Sequence, residues 1–74
     1  MLKELKIGVI YRYDNKLHNQ SNYYKISEIK NIVCKIEILD YTIGFRFLTQ
    51  SVSHKDNLLA CSRELNRSER LLAI

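Results

Sequence analysis

The chain is poor in the residues that interrupt or cross-link a small protein. Its 74 residues include no proline, no tryptophan, two glycines and two cysteines. No tract rich in Pro, Gly or Ser is present that could act as a linker, and a chain of this length supports one hydrophobic core. We therefore expect a single domain over residues 1–74.

The scarcity of cysteine bears on disulfides and metal sites. Cys34 and Cys61 are the only thiols, and His18 and His54 are the only imidazoles that could join them in a zinc site. Structural zinc sites are built from ligand pairs that are close in sequence, and this chain has no such pair. Thiols in a chain without an export signal stay reduced. We expect two free cysteines, no metal and no cofactor.

Long apolar runs are also missing. No stretch approaches the roughly 20 apolar residues of a membrane span. The first residues include Lys3, Glu4 and Lys6, where a signal peptide would have an apolar region. The sequence therefore predicts a cytoplasmic protein that does not enter a membrane.

β-Branched residues are absent from most of the last third of the chain. Residues 1–52 contain thirteen Val, Ile and Thr, whereas residues 53–73 contain none. Branched side chains suit a pleated sheet and lose rotamer freedom in a helix. The sequence therefore predicts a β-rich segment over 1–52 and a helix over 53–73.

Alternating apolar and polar residues predict the strands. The alternation over 5–13 indicates a first strand, the polar stretch 14–22 a loop, and 23–29 a short second strand. Alternation over 32–39 resumes over 41–48. One strand of that length would be about three times longer than usual, so we expect a tight hairpin near Asp40.

The last element has the pattern of an amphipathic helix over 54–72. Ser53 with Asp56 three residues later is typical of a capped helix start. At 100° per residue one apolar stripe forms, which consists of Leu58, Cys61, Leu65, Ser68 and Leu72. The opposite side carries Arg63, Arg67 and Arg70. An alternative reading makes residues 58–61 a last strand followed by a turn.

One helix covers only one face of a small antiparallel sheet. We expect it on the more apolar strand residues, which are Ile7, Val9, Tyr11, Ile36, Ile38, Ile43, Phe45 and Phe47. The other face would display Lys6, Ile10, Arg12, Val33, Lys35, Leu39, Arg46 and Leu48. The predicted fold class is α+β, a small antiparallel sheet or SH3/chromo-like barrel of four to five strands with a C-terminal helix.

Cationic side chains among exposed aliphatic ones are typical of a sheet that binds nucleic acid. Cations contact phosphates, and apolar groups lie against sugars or bases. The chain carries a net charge of +4, and the predicted nucleic-acid-binding residues are Lys6, Ile10, Arg12, Val33, Lys35 and Arg46. Alternatively, this face is closed by barrel curvature, by the 14–31 segment or by a partner in a homodimer, with its charges reaching outward.

Two short stretches, ISEIKNI at 26–32 and SVSHKD at 51–56, carry a family resemblance. With a first strand, a hairpin in the middle and a C-terminal helix, the chain resembles the seven-kilodalton chromo-like DNA-binding proteins of thermophilic archaea. The resemblance implies a barrel whose triple-stranded sheet lies on the DNA minor groove. It would place Val33 where that family has a large aromatic residue facing DNA.

No catalytic pattern is present, and a domain this small has little room for a cleft with perturbed acids and bases. We therefore expect a non-enzymatic binding module. Nucleic acid is the first candidate partner, and the alternative is a larger protein, which the chain would engage as an inhibitor, adaptor or accessory subunit. A concentrated basic patch would favour nucleic acid, whereas a contiguous apolar patch rimmed by charge would favour a protein partner.

Overall fold

A computed structural model describes residues 2–72 of the chain. Met1, Ala73 and Ile74, and the side chains of Ile43 and Leu72, lie outside that description. The described residues form one open antiparallel sheet of five strands with short helices. The predicted α+β class is confirmed, in its open-sheet form with a C-terminal helix.

The strands are β1 (Ile10–Asn15), β2 (Gln20–Lys30), β3 (Val33–Asp40), β4 (Arg46–His54) and β5 (Ser62–Glu64). A 3-10 turn at Tyr41–Ile43 precedes β4, helix α1 (Lys55–Cys61) connects β4 to β5, and helix α2 (Arg67–Leu72) follows β5. The order across the sheet is β4-β3-β2-β1-β5. Strands β4 and β5 are therefore its two edges.

The first strand begins later than the alternation predicts. Gly8 has a φ of 85°, a left-handed conformation that glycine adopts without strain, and the chain turns there before entering β1. Ile7 and Val9 are consequently exposed and do not belong to the buried face, contrary to the prediction. The hairpin expected near Asp40 is present, with the Asp40 carboxylate accepting a hydrogen bond from the Thr42 backbone N–H at 3.0 Å.

The single helix predicted over 53–73 is wrong, and so is the alternative strand at 58–61. Helix α1 ends at Cys61 because Ser62 is extended and pairs with Tyr13 of β1. The buried Ser62 hydroxyl also lies 2.6 Å from the Tyr24 hydroxyl. Sheet pairing and this buried hydrogen bond outweigh the helix propensity of the segment.

The predicted cap at Ser53 is also wrong, because Ser53 still belongs to β4. His54 occupies the N-cap position without a side-chain hydrogen bond. Instead, the Lys55 backbone N–H donates to the Ile32 carbonyl at 2.7 Å, so the turn between β2 and β3 satisfies one of the free donors of the helix start.

Each face of the sheet carries one core cluster. The face under α1, called here the α1 face, contributes to a cluster of Leu5, Tyr11, Tyr24, Ile26, Cys34, Ile36 and Leu58. The opposite face, the α2 face, carries a smaller cluster of Leu39, Phe45 and Leu65. The expectation that one face stays wholly uncovered is therefore wrong, and Leu39 is buried rather than displayed.

Candidate binding surfaces

Four of the six residues predicted to bind nucleic acid share the α2 face. Directly opposed residues of an antiparallel sheet point to the same side, and the pairing places Ile10, Arg12, Val33 and Lys35 on one side. Ile10 and Arg12 lie near α2, whereas Val33 and Lys35 lie at the start of β3. The α2 face is thus divided into a covered half and an open half.

Lys6 and Arg46 are not part of this face. Lys6 precedes β1, and its ammonium nitrogen lies 3.7 Å from a Glu4 carboxylate oxygen. Leu48 is an extra residue in β4, so Ile38 pairs with Thr49 but Leu39 pairs with Phe47. As a result, Arg46 pairs with Asp40. This bulge reverses the phase, so the predicted convergence of all four cations is wrong for these two.

The covered half of the α2 face holds a compact polar cluster, called here the Glu69 cluster, made of Arg12, Asp14, Tyr23, Arg63 and Glu69. Two Arg63 nitrogens donate to the two Glu69 carboxylate oxygens at 2.8 and 3.1 Å. The Tyr23 hydroxyl donates to Glu69 and accepts from Arg12 at 3.0 Å. Arg12 also donates to Asp14 at 2.9 Å and lies 5.5 Å from the Tyr23 ring centre.

This environment holds Glu69 ionised despite its burial. Hydrogen bonds from Arg63 above all, and from Tyr23 and the Asn66 backbone, lower the pKa of Glu69 from 4.5 to about 2, against the opposing effect of burial. The hydrogen bond to Asp14 raises the pKa of Arg12. Two cations face two carboxylates, so the cluster is a neutral structural unit and leaves Arg12 little charge to offer a phosphate.

The same carboxylate fixes the start of α2. The Asn66 backbone N–H donates to Glu69 at 2.8 Å, and the Glu69 N–H donates to the Asn66 side chain at 2.9 Å. This reciprocal pair is a capping box. The spacing of Asn66 and Glu69 is visible in the sequence and could have indicated the second helix start, whereas the contacts with β1 and β2 could not be read from it.

On the open half of the α2 face, cations alternate with carboxylates. The Lys35 ammonium lies 3.1 Å from Glu28, and that of Lys25 lies 3.7 Å from Glu37. Lys35 is largely exposed and Lys25 partly exposed, so each pair contributes little to stability and keeps some attraction for anions. The described residues therefore form no large surface of a single sign on this half.

The most exposed apolar side chains of the sheet lie on its β4 edge. Phe47, Leu48 and Val52 are 47%, 51% and 62% exposed, and every residue of β4 except the half-buried Ser53 is exposed. Residues 47–53 carry no charge. Charged or proline residues and very short strands are the usual protection of an edge. This nine-residue strand has one charged residue, Arg46 at its start, and a bulge at Leu48.

Comparison with family models, curated proteins and solved structures finds no match to this chain. Among residues 2–72 no helix is long and apolar enough to cross a membrane. Within the same residues, Cys34 and Cys61 are free thiols. The resemblance to archaeal DNA-binding proteins stays a prediction, and function must be argued from the surfaces described above.

Proposed function

We propose that this chain is a non-enzymatic protein-interaction module that receives an extended segment of a partner protein along β4. The observation that carries the proposal is the exposed, uncharged stretch 47–53 at a sheet edge. Backbone N–H and C=O groups on the outer side of an edge strand are ready to pair with another strand. Phe47, Leu48 and Val52 add apolar area that such a segment would cover.

The opposite edge is a weaker candidate. Strand β5 has three residues, and its Arg63 is engaged with Glu69. Helices α1 and α2 adjoin its two ends. A partner strand would find few free backbone groups there, which favours β4 as the binding edge.

The charges at the ends of β4 indicate the chemistry of the partner. Arg46 stands at one end and Lys55 follows the other, and β4 itself contains no carboxylate. Asp40 is opposed to Arg46 in β3, and Asp56 follows Lys55. An antiparallel β4–β4 pair would bring Arg46 of each copy toward Lys55 of the other, which disfavours self-association. The complementary partner is an extended segment with an uncharged centre and acidic residues on both sides.

Titration with an acidic-flanked peptide, EETSTFTSTEE, tests this proposal. We expect its binding to shift the amide resonances of residues 49–53 in a two-dimensional NMR spectrum. Val52→Asp should weaken binding about tenfold or more, because it repels the acidic flanks and removes apolar area. Leu71→Asp is the matched control, since Leu71 is similarly exposed on α2, and should change affinity less than about twofold. No binding, or equal loss in both variants, would contradict the proposal.

Nucleic-acid binding is the second candidate function, and one observation favours it. At one end of the sheet, Val33 of β3 lies between Lys30 of β2 and His54 of β4. Lys55 follows His54 in the chain, and Ile32 is exposed in the adjoining turn. Lys30 and Lys55 form no salt bridge with a described residue. Cations beside exposed aliphatic groups are suited to phosphate and sugar contacts.

A further inference from the structure

A cleft of about 200 Å³ opens on the α1 face beside β4. Its floor consists of the buried residues Tyr24, Ile36 and Leu58. No lining residue carries a charge. The rest of the lining is mostly polar, and it consists of Tyr13, Asn22, Ser51, Ser53 and Asn57 together with the aliphatic Ile38 and Val52. An apolar floor within a neutral, mostly polar rim suits an uncharged group and disfavours an ionised one.

The cleft is reachable from the β4 edge because the residues between them are small. Ser51 pairs with Ile36 and Ser53 with Cys34, so both serines lie on the α1 face in front of the cleft. A partner residue opposite Ser51 would point to the same face. The backbone of this partner residue would lie two strand spacings, or about 10 Å, from the backbone of Ile36. Only a long side chain that crosses Ser51 would therefore reach the floor of the cleft.

We propose that this cleft is the specificity pocket of the β4 edge and accepts one aromatic side chain of the partner strand. The inference rests on the proposed function, because the partner must first pair with β4. Backbone hydrogen bonds of an added strand give affinity without sequence preference, and a pocket for an alternate side chain supplies that preference. An aromatic ring is long enough to pass Ser51, and it has the apolar area to cover Ile36 and Leu58.

Two peptides that differ at one position test the inference, EETSTFTSTEE and EETSTSTSTEE. The wild-type chain should bind the phenylalanine peptide about tenfold more tightly or better. Ser51→Trp, which fills the entrance with a ring of the chain itself, should abolish this preference while leaving the serine peptide bound as before. Gln50→Trp is the control, because Gln50 is also exposed on β4 but lies on the α2 face, and it should preserve the preference.

The outcomes separate this inference from the proposed function. Equal affinity for both peptides, with amide shifts still confined to β4, would overturn the pocket and leave strand pairing intact. If Gln50→Trp removes the preference and Ser51→Trp does not, the phenylalanine ring of the peptide lies on the α2 face. That result would also overturn the pocket. Binding of neither peptide to the wild-type chain would overturn both proposals.

Discussion

Glu69 connects the C-terminal helix to the sheet, and its replacement tests how much stability that connection provides. Glu69→Gln should lower the free energy of unfolding by about 2 kcal/mol, because it weakens partly buried hydrogen bonds with Arg63 and Tyr23 that are assisted by charge. Glu64→Gln serves as control, since Glu64 is exposed and its pair with Arg70 spans 3.7 Å, and should change stability by less than about 0.5 kcal/mol. Urea denaturation of both variants measures the difference; equal values would contradict this role.

The same residue gives stability a defined pH dependence. The folded pKa of Glu69 is about 2, below its ordinary value of 4.5, so its contribution is complete above pH 4.5 and is lost as the pH falls toward 2. Glu69→Gln has no carboxyl group to titrate there. Its unfolding free energy should therefore fall less steeply than that of the wild type between pH 4.5 and 2.

The two thiols should differ in reactivity in the folded protein. Cys34 is fully buried and burial raises its pKa, whereas Cys61 is partly exposed. A maleimide reagent should modify Cys61 quickly and Cys34 only on unfolding, and intact mass should show two labels in denaturant. Cys61→Ser should leave no rapid label. Rapid modification of both, or a mass two hydrogens lighter than the reduced chain, would contradict free thiols in these two positions.

At the scale of elements, Leu65 anchors the second core cluster. It is buried in the link between β5 and α2, and it packs with Leu39 and Phe45. Leu65→Ala should lower the free energy of unfolding by about 2 to 4 kcal/mol. Leu71→Ala, at an exposed position of α2, and Arg67→Ala should each cost less than about 0.5 kcal/mol. Equal small effects at all three positions would show that the link between β5 and α2 does not pack on the sheet.

The strands were more predictable from the sequence than the helices or the faces. Period-two alternation places Ile10, Arg12, Val33 and Lys35 on one side, as the register does. Before Leu48 the same rule fails for Arg46 and Phe47, because a bulge without glycine or proline leaves no mark in the alternation. The break at Ser62 was equally hidden, since it depends on pairing with β1 and on a hydroxyl from Tyr24, 38 residues earlier.

The candidate binding surfaces were likewise predictable only in part from the sequence. The cations were visible in the sequence, but their neutralisation depends on partners that only the fold brings close, such as Glu69 for Arg12 at 3.7 Å. The exposed β4 edge was visible only in part, as an uncharged stretch over 47–53. Its place at the edge follows from the strand order, which alternation alone does not determine.

At the scale of the whole molecule, the chain has a net charge of +4, and some of its cations are paired with carboxylates while others are not. The salt dependence of DNA affinity measures how many of these cations contact phosphates. Four phosphate contacts, by Lys6, Arg12, Lys35 and Arg46, would give a slope of log affinity against log salt of nearly −4 on duplex DNA. The structure holds Arg12 in the Glu69 cluster and sets Lys6 apart from the sheet. Arg46 lies on the opposite face from Lys35, and Lys35 pairs with Glu28 at 3.1 Å. If the chain binds DNA through Lys30 and Lys55, which form no salt bridge with a described residue, we expect a slope near −2.

Single substitutions then assign the contacts. Lys30→Ala should reduce the magnitude of the slope by about one unit and weaken binding to all sequences about equally, because a phosphate contact carries no base information. Lys6→Ala, a matched change at an exposed lysine beside Glu4, should leave the slope unchanged. Fluorescence anisotropy at several salt concentrations measures both. A slope near −4 that Lys6→Ala reduces would restore the single basic face, whereas no binding even at low salt would leave the β4 edge as the functional surface.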